Sequence, residues 1–508
     1  MRIAWHCSGR SWHNGGIHMA DRPNILVIMS DQHSKFHIGC YGDEVVRTPH
    51  MDRLAAEGIR FNNAYCAAPL CVPSRMAFMT SRTPTANRVW TNSQILSSAI
   101  PTWAHGMGAA GYETALIGRM HFVGSDQRHG FERRPIGEWG AHHPGVSLQG
   151  APLFRKMPLG VSGQSRVSVE YAGYGMCTYQ AYDDMVVASA LDYLDEKAHD
   201  GGDRPFAAVA GFVLPHCPYI AATKELFEYY YDRVDVPQPT PEEAQRAPAA
   251  IRKLKRLRDL DRTFPEERIR VARAAYFAMC EYFDSIVGQM LQKLDETGLA
   301  ENTLVIYCSD HGEMAGEHGL WSKSNYYEAS VSVPLIARLP GVIPAGGISD
   351  SICNLMDIGP TLIEMAGAAP LPATDGRSLW PQMCGENDPN WVDETFSEHL
   401  WVATEVPSRM IRKGAWKLYK YNEPTPPALF NLEEDPGELN DLGLDTRYQD
   451  VREKLLKRLY EDWDPADIIS ETAILDRDYR TISAWGQAVQ PIHEDTVAVP
   501  DVEDIELR

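Results

Sequence analysis

Nearly continuous apolar runs recur along the chain, separated by stretches with helical periodicity. The runs are "NILVIM" (24–29), "ETALIG" (113–118), "FAAVAGFV" (206–213), "TLVIYC" (303–308) and "VPLIAR" (333–338). Continuous rather than alternating runs predict strands buried on both faces, the pattern of a parallel sheet covered by helices. Between them, Thr48 and Pro49 open a helix in "TPHMDRLAAEG", with Gly58 placed to end it. A longer helix is predicted from Glu266 to about Gly298, and the charged, Pro-containing segment 225–265 reads as a surface excursion. Beyond about residue 370 the texture changes. "RMIRKGAWKLYKYN" and "ALFNLEEDPGELNDL" predict short aromatic strands in a small antiparallel sheet. A helix with Val451, Leu455, Leu456 and Leu459 on one face comes next.

The predicted fold class is therefore α/β. A large, mostly parallel sheet flanked by helices occupies 21–370, and a smaller α+β subdomain built on an antiparallel sheet occupies 371–465. Residues 466–508 read as an acidic, irregular tail that wraps over the domain or over a partner subunit, which makes a homo-oligomer the expectation. Residues 1–20 read as a disordered extension without an apolar signal core, and Met19 offers an alternative start. No run of eighteen apolar residues occurs, so no membrane-spanning helix is expected.

Composition changes this picture little, but charge narrows it. The 508 residues are 44% apolar and 23% charged, as in an ordinary globular protein, with a net charge of −21. That charge argues against a nucleic-acid or anionic-membrane partner, and leaves room for a small anion held by local cations. Ten cysteines without C-x-x-C spacing disfavour structural zinc and a disulfide framework. Cys66 and Cys308 read as small core residues, and the expectation is a cytoplasmic protein with reduced thiols.

Ligands of open parallel sheets bind at the carboxyl ends of the strands. The residues directly after each run are therefore informative: Ser30-Asp31-Gln32-His33, Arg119-Met120-His121, Leu214-Pro215-His216, and Ser309-Asp310-His311-Gly312-Glu313. A lone Asp after a strand is more often a helix N-cap, and a lone His is more often structural. Four such sets at one edge point instead to a metal-and-anion site. Asp31, Gln32, Asp310 and His311 offer an oxygen-rich set that suits Ca²⁺, Mg²⁺ or Mn²⁺, and the one imidazole narrows the expectation to one divalent cation, Ca²⁺ or Mn²⁺. "CVPSR" (71–75) adds Cys71 and Arg75 beside it, and Lys323 adds a further cation.

These residues carry a family resemblance. "CVPSR" resembles the C-x-P-x-R signature of the formylglycine-dependent sulfatases of the alkaline phosphatase superfamily. "RPNILVIMSDQH", "GYETALIGRMHF", "PHCPY", "SDHGEMAGEHGLWSKSNYYEASVSVPLIARLPG" and "LFNLEEDPGELNDL" are similar to further blocks of that family, over about Pro23 to Asn440. "SDQ", "GRMHF" and "DQRHGF" are most similar to its choline-sulfatase-like branch. The resemblance implies that a formylglycine-generating or sulfatase-maturing enzyme oxidises Cys71 to a formylglycine aldehyde. Its hydrate would attack the sulfur of a small-molecule sulfate ester, alkyl or aryl, and then expel sulfate. Asp31, Gln32, Asp310 and His311, with the modified Cys71, match the family's metal ligands. Arg75 matches the residue that stabilises formylglycine, and His121 supports the hydrate and is a candidate base. Arg119, His216 and Lys323 would face the sulfate, the last two also the leaving oxygen.

Two positions depart from the common pattern. Arg119 stands where many sulfatases have Lys, which keeps the charge but not the reach. Gln32 and His311 stand where many have a carboxylate and an asparagine. Glu313 and His318 read as scaffold of a tight Gly-rich loop, and Trp139 either lines the substrate pocket or caps a loop. A formylglycine-dependent phosphonate monoester hydrolase or phosphodiesterase is the alternative within the superfamily, and a non-catalytic binding protein of the same fold is the second.

Overall fold

The computed structural model describes residues 22–139, 143–144, 157–158, 160–200, 204–401, 406–491, 495–500 and 502–508, so the predicted disordered extension lies outside the described residues. Strands β1 (Asn24–Ser30), β2 (Ile59–Tyr65), β3 (Glu113–Gly118), β4 (Arg133–Ile136) and β5 (Gly173–Met176) come first. Next are β6 (Phe206–Gly211), β7 (Ile220–Ala221), β8 (Thr303–Ser309), β9 (Leu335–Arg338) and β10 (Gly347–Asn354). The last are β11 (Glu394–Trp401), β12 (Val406–Lys413), β13 (Trp416–Tyr421), β14 (Ala428–Asn431) and β15 (Asp504–Leu507).

Eight strands form the central sheet, in the order β10-β2-β9-β8-β1-β6-β3-β4. Pairing is parallel except at β9, which runs antiparallel to both β2 and β8. The run "VPLIAR" was expected to join the parallel set, and the structure corrects this. A short buried run records burial and not direction. Along β1, Ile25, Val27 and Met29 enter one hydrophobic cluster, whereas Leu26 and Ile28 enter the other. Leu304, Ile306 and Cys308 of β8 alternate in the same way with Val305 and Tyr307. Both faces are thus covered, which is why the sequence shows unbroken apolar runs.

The predicted long helix spans Glu266–Thr297, and Gly298 ends it in the left-handed region at φ 74°. The helix begun by Pro49 spans Pro49–Ala56. The 225–265 excursion carries three helices, Lys224–Tyr231, Pro241–Arg246 and Ala249–Leu257. No helix among the described residues is long and apolar enough to cross a membrane.

The C-terminal antiparallel sheet has the order β11-β12-β13-β14. Helix Gln449–Leu459 buries Leu455 and Leu459 against its Ile411, Leu418 and Leu429. The stretch beyond residue 465 is not irregular as predicted. Pro465–Val489 is a helix, with the Asp464 side chain capping Ala466 N. β15 pairs antiparallel with β5, where Gly175 (φ 124°) is required because a Cβ would stand 1.9 Å from Asp504 O.

A buried ion cluster docks the small sheet onto the large one. Lys417 Nζ of β13 lies 3.0 Å from Glu328 Oε1 and also pairs with Glu438. Tyr65 OH donates to Glu328 Oε2 at 3.1 Å, and Arg412 Nε donates to Tyr65 OH at 3.0 Å. Removing the cation of such a cluster leaves buried Glu438 without its cation and Glu328 with only Lys35 and Arg412. Lys417→Met is therefore expected to destabilise the protein by about 3–5 kcal/mol in denaturant unfolding. A loss below about 1 kcal/mol, the range of exposed pairs, would show that the cluster does not hold the two sheets together.

Candidate active site

The site lies where β8, β1, β6 and β3 end side by side. Ser30 and Ser309 are register partners, so Asp31 and Asp310 leave adjacent strands at one level. On the other side Gly118 and Gly211 are partners. A Cβ on Gly211 would stand 1.8 Å from Arg119 O, and one on Gly118, whose φ is 85°, 2.4 Å from Gly211 O. Both positions need glycine, and the close approach sends Arg119 toward Asp31.

Helix Cys71–Thr80 delivers Cys71 at its first position and is buried at all ten positions. Pro73 sits in the first turn, where a missing N–H is tolerated. Ser74 Oγ donates to Asp310 O at 2.6 Å, fastening the helix to the end of β8. Arg75, one turn in, spends its donors on the carboxylates. Its Nε is 2.7 Å from Asp310 Oδ2, and its Nη2 is 3.3 Å from Asp31 Oδ2. Nη1 donates to Arg119 O at 3.0 Å. None of these bonds goes to Cys71 Sγ, so Arg75 acts here through the two aspartates.

Asp31, Cys71, Asp310 and His311 form a buried group whose donor atoms lie within 4.8 Å of one another. Cys71 Sγ is 3.2 Å from His311 Nε2 and 3.6 Å from Asp31 Oδ1. His311 Nε2 is 3.5 Å from both Asp31 Oδ1 and Asp310 Oδ1. His311 Nδ1 lies 3.0 Å from Gly312 O, which assigns the proton to Nδ1 and turns the Nε2 lone pair into the group. Burial pushes the pKa of His311 down, in keeping with a neutral imidazole. An imidazole lone pair facing two carboxylate oxygens is a donor set that fits a divalent cation.

Gln32, in the left-handed region at φ 71°, bridges this group to a second one. Its Oε1 accepts from Lys323 Nζ at 2.5 Å, and its Nε2 donates to Glu313 Oε2 at 2.5 Å. Glu313 also accepts from Ala315 N, Ser322 N and Tyr219 OH, so it pins the Gly-rich loop as expected of scaffold. His318 of that loop stacks on Tyr327 at 3.9 Å. Lys323 Nζ stands 3.3 Å from Cys71 Sγ and 4.0 Å from Asp31 Oδ1. Burial works against its charge, but Cys71 and Asp31 outweigh it and keep its pKa above the usual value.

Arg119 Nε is 3.0 Å from Asp31 Oδ2, and its guanidinium carbon lies 5.1 Å from the centre of the Trp139 ring. Trp139 is buried against Tyr182 and Tyr179, so it braces this cation from below. Arg119 Nη2 donates to His121 Nδ1 at 2.7 Å, which leaves the proton of that imidazole on Nε2. Burial and then Arg119 hold the pKa of His121 well below its usual value. His216 has the opposite tautomer: Nδ1 donates to Cys217 O at 2.5 Å and Nε2 keeps a lone pair. For Asp31, burial raises the pKa, but the cations Arg119, Lys323 and Arg75 around it hold it well below the carboxylate range.

The candidate ligands Asp31, Gln32, Asp310 and His311 therefore lie with Cys71, Arg75, Arg119, His121 and Lys323 at one strand-end cluster, and His216 faces Asp31 from the end of β6. Sequence reasoning missed Glu138. Its carboxylate accepts from Met120 N at 2.9 Å and from His121 N, and pairs with Arg119 Nη1 at 3.2 Å. It sits two residues after the short edge strand β4, "RRPI", which has no apolar run to mark it. Cys66 is a packed core residue, as expected.

The family model described as "Sulfatase" matches residues 23–368, and that of "N-sulphoglucosamine sulphohydrolase, C-terminal" matches 316–464. The chain is 36% identical over 442 residues to choline-sulfatase of Rhizobium meliloti (strain 1021), covering 84% of this chain and 83% of that one. It is 28% identical over 466 residues to an arylsulfatase of Clostridium perfringens (strain 13 / Type A), covering 86% and 94%. The solved phosphonate monoester hydrolase of Agrobacterium radiobacter is similar in fold, with TM-score 0.72 at 23% identity, covering 87% of this chain and 95% of that one. With the family model spanning the whole strand-end site and most of the chain, this protein belongs to the sulfatase family and is a sulfuric ester hydrolase.

Proposed function

We propose that the protein hydrolyses small alkyl or aryl sulfate esters, choline sulfate among them, with formylglycine made from Cys71 as nucleophile. The observation that carries this reading is the convergence of Asp31, Asp310, His311 and Lys323 on Cys71 at a buried helix start. The Cys71 Sγ atom stands in for the oxygens of the hydrated aldehyde. Conversion replaces sulfur and two hydrogens with one oxygen.

Asp31, Asp310 and His311, with the Gln32 amide alongside, would hold one divalent cation, Ca²⁺ or Mn²⁺. When bound, it would stabilise negative charge on the nucleophile and on the sulfate oxygens. Arg119 and Lys323 supply fixed positive charge for the sulfate, which favours a transition state in which charge builds on the leaving group and outer oxygens. Trp139 and Glu138 set the guanidinium plane of Arg119. His121 presents Nε2–H and serves as a hydrogen-bond donor in this arrangement. His216 presents a lone pair, so proton acceptance during the elimination step, first expected of His121, fits His216 better. Lys323, charged and beside the nucleophile, is placed to protonate the leaving alkoxide.

The decisive experiment joins peptide mass spectrometry with a substrate panel. Protein from its native host is expected to show the Cys71 peptide as formylglycine and to prefer choline sulfate and 4-nitrophenyl sulfate over phenyl phosphonate. A fully unmodified Cys71 peptide in active enzyme would sink the mechanism, and a clear phosphonate preference would overturn the substrate class.

The geometry leads to two further outcomes. Chelation should abolish turnover, and Ca²⁺ or Mn²⁺ alone should restore it. Turnover that survives exhaustive chelation, with metal absent by elemental analysis, would exclude the proposed ligand set. Lys323→Ala should lower kcat/KM for an alkyl sulfate by about 10²-fold or more, the usual range for a lost proton donor. The loss should be smaller with 4-nitrophenyl sulfate, whose leaving group needs no proton. Equal losses on both substrates would remove leaving-group protonation from the role of Lys323.

A further inference from the structure

The excursion over 225–265 places no side chain among the reacting groups of the strand-end site, yet it walls a cavity of about 380 Å³ that none of the active-site residues lines. That volume lies within the range of small-molecule sites. Phe264, Ile269 and Trp321 give the cavity an apolar wall. Its charged lining is one-sided: Arg252, Lys255, Arg256 and Arg262 against a single carboxylate, Asp261.

The cations differ in how far they are already satisfied. Arg262 is paired with Asp259, with Nε 2.7 Å from Oδ1, and Arg252 faces the main-chain carbonyls of Gln245 and Ala247. Lys255 is partly buried, and its ammonium donates to the main-chain oxygen of His318. Among the described residues no carboxylate lies within ion-pair distance of it. Burial alone lowers its pKa, with no opposing charge to restore it. Gly319, at φ 64°, leaves the space around this ammonium open, since a Cβ there would stand 3.2 Å from Lys255 Nζ. A desolvated cation without a counter-charge is costly to a fold, and an anion entering the cavity would supply what is missing.

We propose that this cavity is a second ligand site, separate from the catalytic centre, for an organic anion with a ring-sized apolar body, such as an aromatic or alicyclic carboxylate or sulfonate. The ring lies against Phe264 and Trp321, and the anionic group meets Lys255 and Arg256. The occupant also abuts the segment that carries the catalytic lysine. Trp321 is two positions before Lys323, and Arg258, next to the cavity-lining residues, donates from Nη1 to Lys323 O at 2.9 Å.

The test uses the full chain and 2-naphthalenesulfonate, which has no ester bond to cleave. Calorimetric titration is done in an Arg119→Ala background, where anion binding at the catalytic centre is weakened. One equivalent is expected to bind, and adding Lys255→Met should weaken it about tenfold or more, the worth of one charge-assisted hydrogen bond. Arg256→Ala, a change at an exposed position, should weaken it less, and neutral 2-methylnaphthalene should bind about tenfold more weakly than the sulfonate. Lys255→Met alone should leave sulfate-ester turnover within about twofold, because Lys255 touches no reacting atom. If that variant fails to fold, the Arg256→Ala titration decides. Absence of binding, or binding unchanged in the variants that fold, would overturn the second site.

Discussion

The arrangement depends on one contact, the grip of Arg75 on Asp31 and Asp310. Two carboxylates leave neighbouring strands at the same level, fully buried, and would repel strongly without a cation between them. Arg75 supplies that cation from within the helix that begins at Cys71. The residue that reconciles the carboxylates therefore also fixes the position of Cys71, because both belong to one rigid turn. Strand register, helix placement and ligand orientation are settled together.

Around this contact the site is built from charges that restrain one another. Arg119 is shared between Asp31 and Glu138, with Trp139 beneath it. Lys323 is shared between Gln32 and Cys71, while Glu313 holds the other end of the Gln32 amide. Each cation therefore has a carboxylate or amide partner in addition to the group it serves. Its charge is preserved through burial, and its direction is fixed before substrate arrives. An acidic protein, at −21 overall, can in this way present a cationic floor to an anionic substrate.

Much of this was legible in the sequence because buried strands write themselves as apolar runs and their final residues come at once after them. Asp31, Arg119, His216 and Asp310 were found that way, and the helix through Glu266–Thr297 was marked by its period and by Gly298. Direction was not legible. The run ending β9 looks like the others because burial is the same for parallel and antiparallel neighbours. Glu138 left no trace because the edge strand before it is short and polar. The helix Pro465–Val489 was misread from its acidity, although Asp464 and Pro465 are sound start signals. With Ile468 among the few residues it buries, its apolar period is weak. The partners of Arg75 were beyond any spacing argument, since they depend on how a helix and two strands meet in space.

The depth of Cys71 sets a condition on when anything outside the protein can reach its thiol. Its side chain is almost wholly enclosed, and His311, which closes one side, lies 240 residues further along the chain. At about 5–20 residues per second, a ribosome needs on the order of 10–50 s to cover that distance. For that interval the pentapeptide "CVPSR" has left the ribosome but lacks the strand that will cover it. An enzyme that converts Cys71, as proposed above, would therefore compete with the completion of β8. Under the proposed conversion, the rate of translation between residues 71 and 311 would then bear on the fraction of molecules converted.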